Sequence, residues 1–364
     1  MKPAADNLVG LIGNTPLVRL GRVAKGIKCD LFAKLEYFNP GGSVKDRIGI
    51  SMIEEAESKG LLKPGMTIIE PTSGNTGVGL ALAATVKGYR LVFTIPDKMS
   101  AEKINLLRAY GGHVVITPVA VEPNDPRSYY RAAEILRNAI NGRGQPPTSA
   151  ELAEITARVQ SMIRQNQVAE LAKLLSLTPK NHNCFIPNQY ANPANPSAHY
   201  KTTGPEIWRQ TEGKIDAFIV GVGTGGTVSG TGKYLKEQNP KVKVIGIDTV
   251  GSLIAHKFYG TQGQAHPYLI EGIGEDFIPD TLDLKVIDEI ITVSDKDAYA
   301  TARELARQEA ILVGSSSGAA VFGALQYCRK MQEGQVAVVL LPDGGRSYLS
   351  KAFNDEWLAK NKLV

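Results

Sequence analysis

The stretch FIVGVGTGGTVSGTGKYL (residues 218–235) passes from an apolar run into a turn with four glycines in six positions, then into a helical pattern near Thr227. The apolar run reads as a strand buried on both faces, which belongs in a parallel sheet flanked by helices. Bare backbone N–H groups at the start of the following helix suit a phosphate. Glycine at this density costs roughly 0.5–1 kcal/mol per residue in ordered structure, so the loop calls for a ligand rather than a plain turn. Two phosphates fit the local pattern. Gly221, Gly223 and Gly226 match G-x-G-x-x-G, and Asp248 closes the next strand, so a dinucleotide site stays open at this level.

Outward from this unit, short β-branched runs alternate with longer helical patterns. Strands are expected at 29–35, 67–70, 91–95, 113–116, 217–222, 242–248, 289–293 and 336–341. Helices are expected at 43–59, 77–87, 100–110, 198–210, 228–238, 295–310 and 317–332. This is an α/β chain with mostly parallel sheets. Residues 140–183 break the rhythm. A GRGQPP loop precedes two amphipathic helical patterns, the first opening with Thr148 as a cap, and together they read as a helical insertion.

Composition excludes several classes. A net charge of +5, spread along 364 residues, is too mild for a nucleic-acid footprint. No run approaches the roughly 20 apolar residues of a membrane helix. The opening residues do not read as a secretory signal. Three distant cysteines (Cys29, Cys184, Cys328) form no disulfide framework and point to a reducing, cytoplasmic setting. The five histidines show no metal-binding spacing, so no metal is expected.

Three further loops carry candidate chemistry. In EPTSGNTGVGLALAA (70–84), Thr72, Ser73, Asn75 and Thr76 offer donors at a helix start, where the dipole favours a carboxylate. In NPGGSVKDRIG (39–49), Lys45 stands in the first turn of a helix, where a cation is disfavoured. A lysine desolvated there would lose pKa and could attack a carbonyl to form a Schiff base. In EAILVGSSSGAAVFGAL (309–325), Ser317 reads as a helix cap, leaving neighbouring hydroxyls for a ligand. PNQYANPANPSAHYKTTGPEIW (187–208), with Gln189, Tyr190 and His199, and EGIGEDFIP (271–279), with Glu271, Glu275 and Asp276, are weaker polar loops.

A Schiff-base lysine, a phosphate cradle, a carboxylate loop and a hydroxyl for a ring nitrogen together describe a pyridoxal-phosphate site. GGSVKDR, PTSGNTG, GTGGT and GSSSG, in that order, resemble the fold type II enzymes of the cysteine synthase and cystathionine β-synthase family. The closer likeness is to the compact, bacterial-type cystathionine β-synthase core, through LKPGMTIIEPTSGNTGVGLALAA, PDKMSAEK, NDPRSYY, NQYANP, EGIGEDFIP and LLPDGGRSYLSKAFNDEWL. The resemblance implies a tryptophan synthase β-like architecture of two three-layer domains. The larger is expected over 1–42 plus 184–364 and a smaller, mobile one over 43–183, with the cofactor between them. It implies pyridoxal 5'-phosphate carried by Lys45. Asn75 would meet the cofactor's phenolic oxygen, Gly223, Thr224, Gly225, Gly226 and Thr227 its phosphate, and Ser316 its ring nitrogen. Thr72, Ser73, Thr76 and Gln189 would take the substrate carboxylate. The reaction implied is β-replacement on L-serine or an activated serine by a thiol. Homocysteine would give cystathionine; the alternative is sulfide giving cysteine, with sulfide release as a side activity. A homodimer with small-molecule amino-acid and thiol substrates, and no nucleic-acid or membrane partner, is expected. From its ends at LIGNTPLVRL and shortly after Trp357, neither the haem-binding extension of the animal enzymes nor their tandem regulatory domain is expected. Haem sensing and control by S-adenosylmethionine are therefore not expected. Glu275 stands where the animal enzymes carry an aromatic residue.

Overall fold

The computed structural model describes residues 4–72, 74–122 and 124–363. The chain forms two compact units, Met1–Gly10 with Ile48–Asn188, and Leu11–Arg47 with Gln189–Val364. Helix α1 (Lys45–Ser58) crosses the division, so Lys45 stands in the larger unit.

The larger unit is built on a six-stranded sheet. Its strands are β1 (Leu17–Arg19), β2 (Asp30–Leu35), β7 (Ala217–Gly221), β8 (Lys243–Thr249), β9 (Glu289–Val293) and β10 (Val336–Leu341), ordered β1-β2-β10-β7-β8-β9. Only the β1–β2 pair is antiparallel. Alternate residues feed two cores, one on each face. Ala217, Ile219, Ala337, Val339 and Leu341 join one, while Phe218, Val220, Val338 and Leu340 join the other. Helices α7 (Ala194–Lys201), α8 (Thr203–Gln210), α9 (Gly226–Gln238), α10 (Ile254–Tyr259), α11 (Asp295–Glu309), α12 (Ser315–Cys328) and α13 (Asp355–Lys360) complete the unit.

The smaller unit holds a four-stranded, all-parallel sheet of β3 (Thr67–Pro71), β4 (Arg90–Pro96), β5 (His113–Thr117) and β6 (Cys184–Phe185), ordered β5-β4-β3-β6. It also holds α2 (Asn75–Lys87), α3 (Ala101–Ala109), α4 (Tyr129–Asn141), α5 (Ser149–Arg164) and α6 (Val168–Leu175). The insertion is the pair α5 and α6. Thr148 and Glu151 form a full capping box on α5. Leu152, Val159 and Leu171 from these helices enter the same core as Ile69, Val92 and Val115 of the sheet. Gln160 of α5 also pairs with both backbone groups of Ile116, accepting from its N–H (2.7 Å) and donating to its carbonyl (2.9 Å). Because β5 is an edge strand, the insertion satisfies groups that would otherwise offer a template for another chain.

Two sequence expectations need correction, and some elements were not expected. The helix expected over 198–210 is two, α7 and α8, because Thr202 leaves helical geometry at φ −126°. Ser317 is not a cap. Helix α12 starts two residues earlier from Gly314, and the Ser317 hydroxyl lies inside its first turn. Strands β1 and β6 were not expected; at three and two residues they are too short to show a period. Helix α4 was likewise not foreseen, although Ser128 caps it.

Candidate active site

Helices α3, α4, α5, α11 and α13 are capped by side chains of Ser100, Ser128, Thr148, Ser294 and Asn354. Helices α2, α9 and α12, which follow the three glycine- and hydroxyl-rich loops, start instead from Gly74, Gly225 and Gly314 with no side-chain cap. With no capping side chain on the residue before them, these three starts keep the positive end of the helix dipole, which favours negative charge.

In the larger unit, Lys45, Gly223, Thr224, Gly225, Thr227 and Gly272 line one cavity. The loop is shaped by glycine where a side chain cannot go. Gly225 takes φ +83°, and a Cβ on Gly226 would stand 1.9 Å from the Oδ1 of Asn195. Asn195 is fully buried and held by two hydrogen bonds, so it cannot yield. Gly226→Ala is therefore expected to destabilise the fold by about 1–3 kcal/mol, the cost of overpacking a filled site. Urea unfolding of the variant against wild type measures this.

Lys45 is the first residue of α1 and lies half-buried in the cavity wall. Burial pushes its amine down to about 8, against the opposing charges of Asp343 and Glu275. Its neighbours anchor the helix start. Asp46, whose carboxyl burial pushes up to about 7, accepts the Gly41 N–H at 2.5 Å. Arg47 makes two forked pairs, with Glu36 (2.7 and 2.9 Å) and with Glu206 (2.7 and 2.8 Å). Lys34 donates to Glu206 (2.8 Å), to the Thr15 carbonyl (2.7 Å) and to Gln210 (2.9 Å). All four charged groups of this network are buried, and every charge has an opposite partner.

The network has a pH signature. Burial favours the neutral acid of Glu206, but the hydrogen bonds and charges of Arg47 and Lys34 outweigh it and hold the carboxyl at about 2, below the ordinary 4.5. A depressed carboxyl contributes stability that is complete above its unfolded pKa and is lost as pH falls through the folded one. Stability measured by urea unfolding is therefore expected to fall from about pH 4.5 towards pH 2. Glu206→Gln should flatten that part of the profile.

Ser316, almost fully buried, opens α12 close to Gly272; a Cβ on that glycine would stand 3.8 Å from the Ser316 Oγ. The neighbouring Ser315 accepts the Glu271 N–H at 3.1 Å. Gln189 is buried, and its carbonyl accepts from Asn195 at 2.8 Å. Asp248 has the position a dinucleotide reading needs, but it is buried and its Oδ2 accepts the Ala255 N–H at 2.8 Å.

In the smaller unit, Thr72 sits on the β3–α2 loop and Asn75 and Thr76 are the first two residues of α2; Ser73 lies outside the described residues. The Thr72 oxygen accepts from the N–H groups of Gly74 (3.1 Å) and Gly77 (3.2 Å). Its own O–H is thereby left to donate, as an anion site requires. Gly74, at φ +119°, makes the turn into α2. Among the described residues no group of three or more His, Cys, Asp or Glu side chains is placed to hold a metal. No helix there is long and apolar enough to cross a membrane.

Sequence reasoning assigned no role to Asn195 or His199, which back the glycine loop, or to the Glu36–Arg47–Glu206–Lys34 network. The readable signal for the first pair was Gly226 and Gly230, four apart in a helix. Glycine there costs about 1 kcal/mol against alanine and implies a close neighbour.

Comparison with known proteins gives a consistent picture. The family described as pyridoxal-phosphate dependent enzyme matches residues 8–343. The chain is 45% identical to cystathionine β-synthase of Mus musculus over 355 residues, 97% of this chain and 56% of that protein. It therefore spans little more than half of that relative's length. Among solved structures, a hydrogen sulfide-producing enzyme from Fusobacterium nucleatum superposes with a TM-score of 0.76 at 36% identity, covering 96% of this chain and 99% of that one. A lysine-to-alanine mutant of O-ureido-L-serine synthase, with O-ureido-L-serine bound, gives 0.75 at 35% identity and 99% coverage of both.

Proposed function

The chain belongs to the pyridoxal-phosphate-dependent enzyme family, and from that premise we propose that it joins a thiol to the β-carbon of L-serine or an activated serine. Homocysteine is the thiol and cystathionine the product. The observation that carries this reading is that an amine of lowered pKa and an uncapped, glycine-shaped helix start line the same cavity. The cofactor needs both, an amine for its aldehyde and donors for its phosphate. The residues fit it: a Cβ at Gly223 would stand 2.7 Å from the Gly272 carbonyl oxygen, so the cradle is kept clear by the absence of side chains.

Lys45 is the residue assigned to carry the cofactor. Gly223, Thr224, Gly225, Gly226 and Thr227 hold its phosphate, Asn75 its phenolic oxygen, and Ser316 its ring nitrogen. When bound, pyridoxal phosphate supplies the electron withdrawal that acidifies the substrate's Cα–H. Lys45 Nζ takes that proton and later returns it. An amine with a pKa of about 8 is partly neutral at pH 7 and so is suited to both directions. Thr72, Ser73, Thr76 and the start of α2 bind the substrate carboxylate, with Gln189 as a further donor. At Cβ the C–O bond breaks and a C–S bond forms; with serine, the leaving hydroxyl departs with a proton as water. Ser316 offers the ring nitrogen a neutral hydroxyl, which does not hold a proton there as a carboxylate would. This favours elimination at Cβ over transamination.

A second reading, sulfide in place of homocysteine, draws on the end-to-end likeness to the hydrogen sulfide-producing enzyme. Turnover of L-serine with homocysteine, measured against O-acetylserine with sulfide, separates the two. A kcat/KM at least tenfold higher for the first pair supports the proposal, and the reverse order replaces it with cysteine synthesis. We assign the protein to the cytoplasm, in keeping with three buried free thiols. We also assign it a homodimeric state, which sedimentation tests.

A further inference from the structure

The proposed phosphate cradle is backed by one helix face. Asn195 and His199 stand four apart on α7, and across from them α9 carries Gly226 and Gly230. A Cβ at Gly230 would stand 2.0 Å from the Pro196 carbonyl oxygen, so α7 lies directly against the first turns of α9. Asn195 Nδ2 donates to the Thr224 Oγ1 at 3.1 Å. His199 Nε2 lies 3.2 Å from the Thr227 Oγ1, and its Nδ1 lies 3.0 Å from the Thr203 Oγ1. Asn195, His199 and Thr203 are all fully buried.

The proton positions follow from the far end of this chain. The Thr203 hydroxyl has one hydrogen-bond partner among the described residues, the Nδ1 of His199. A buried O–H needs an acceptor, so Thr203 donates and Nδ1 accepts. A neutral imidazole then carries its proton on Nε2 and donates it to Thr227. Burial, with the charges of Lys45 and Arg47, pushes the His199 pKa down to about 3, and the ring stays neutral. Thr224 and Thr227 each accept from α7, and each keeps its own O–H for the cavity.

We propose that Asn195 and His199 are positioning residues that hold the Thr224 and Thr227 hydroxyls as donors, so that the cradle reads a group made only of acceptors, a phosphate dianion. This rests on the reading of the cavity as the cofactor's site.

The test uses the full chain. In protein stripped of cofactor, 15N NMR of His199 should show a protonated Nε2 and a bare Nδ1, unchanged by inorganic phosphate; a proton on Nδ1 overturns the proposal. Rebinding to the stripped protein is measured for pyridoxal phosphate and for pyridoxal, which lacks the phosphate. His199→Leu should weaken pyridoxal phosphate about tenfold, the factor for one hydrogen bond, and leave pyridoxal unchanged. His199→Gln, which keeps a donor, should recover most of the loss. The His199→Leu/Thr227→Val double variant should bind no more weakly than Thr227→Val. Equal losses for both ligands, or additive losses in the double variant, would mean that His199 only supports the fold, and would overturn the proposal. Wild type that binds neither ligand would refute the cofactor-site reading and take this inference with it. That failure is separable, because the tautomer is measured without cofactor.

Discussion

Lys45→Ala is expected to lower β-replacement by about 10⁴-fold or more, since it removes both the group that carries the cofactor and the base that moves the Cα proton. The fold should survive. Lys45 opens α1 from the cavity wall and takes no part in the buried ion network, and alanine is a good helix residue. The variant's urea midpoint should therefore stay close to wild type while steady-state turnover with serine and homocysteine disappears. Residual turnover within about a hundredfold of wild type would assign the proton transfer to another group.

Arg47→Leu, two residues further on, is expected to act in the opposite way, through stability. It strands Glu36 and Glu206, both buried, beside a single remaining cation, Lys34. Removing one member of a buried ion network costs about 3–5 kcal/mol because the charges left behind have lost their partner. Urea unfolding should show that loss, and Arg47→Lys should recover only part of it, since lysine cannot make both forked pairs. A loss under about 1 kcal/mol would mean that the network relaxes freely and does not fix the start of α1.

What could be read from the residues follows from how local each signal is. Strands β9 and β10 were placed to the residue, because EIITV and VAVVLL are short β-branched runs with clear bounds, and all of VAVVLL but its first residue is buried inside a parallel sheet. The cap on α5 was legible because Thr148 and Glu151 answer each other across one turn. Ser317 misled because a serine before a helical run usually caps it. Here the cap is Gly314, and the difference lies in tertiary contacts: a Cβ at 314 would meet the Asp343 Oδ1 at 2.4 Å. The break at Thr202 was hidden because nothing in YKTTG stops a helix locally; only the backbone at Thr202 departs from helical geometry. The loops were legible in kind, as glycine and hydroxyl clusters at helix starts. What backs them was not. Asn195, His199 and Glu206 are far in sequence from Lys45 and Glu36, and only folding brings Glu206 to the partner charges that hold it ionised.

The central claim is that Lys45 carries the cofactor. Purified protein, loaded with pyridoxal phosphate and reduced with borohydride, should lose its visible absorption band. Peptide mass mapping should then find one added pyridoxyl phosphate group, on Lys45. Finding that mass on another lysine, or finding none after loading, would contradict the account.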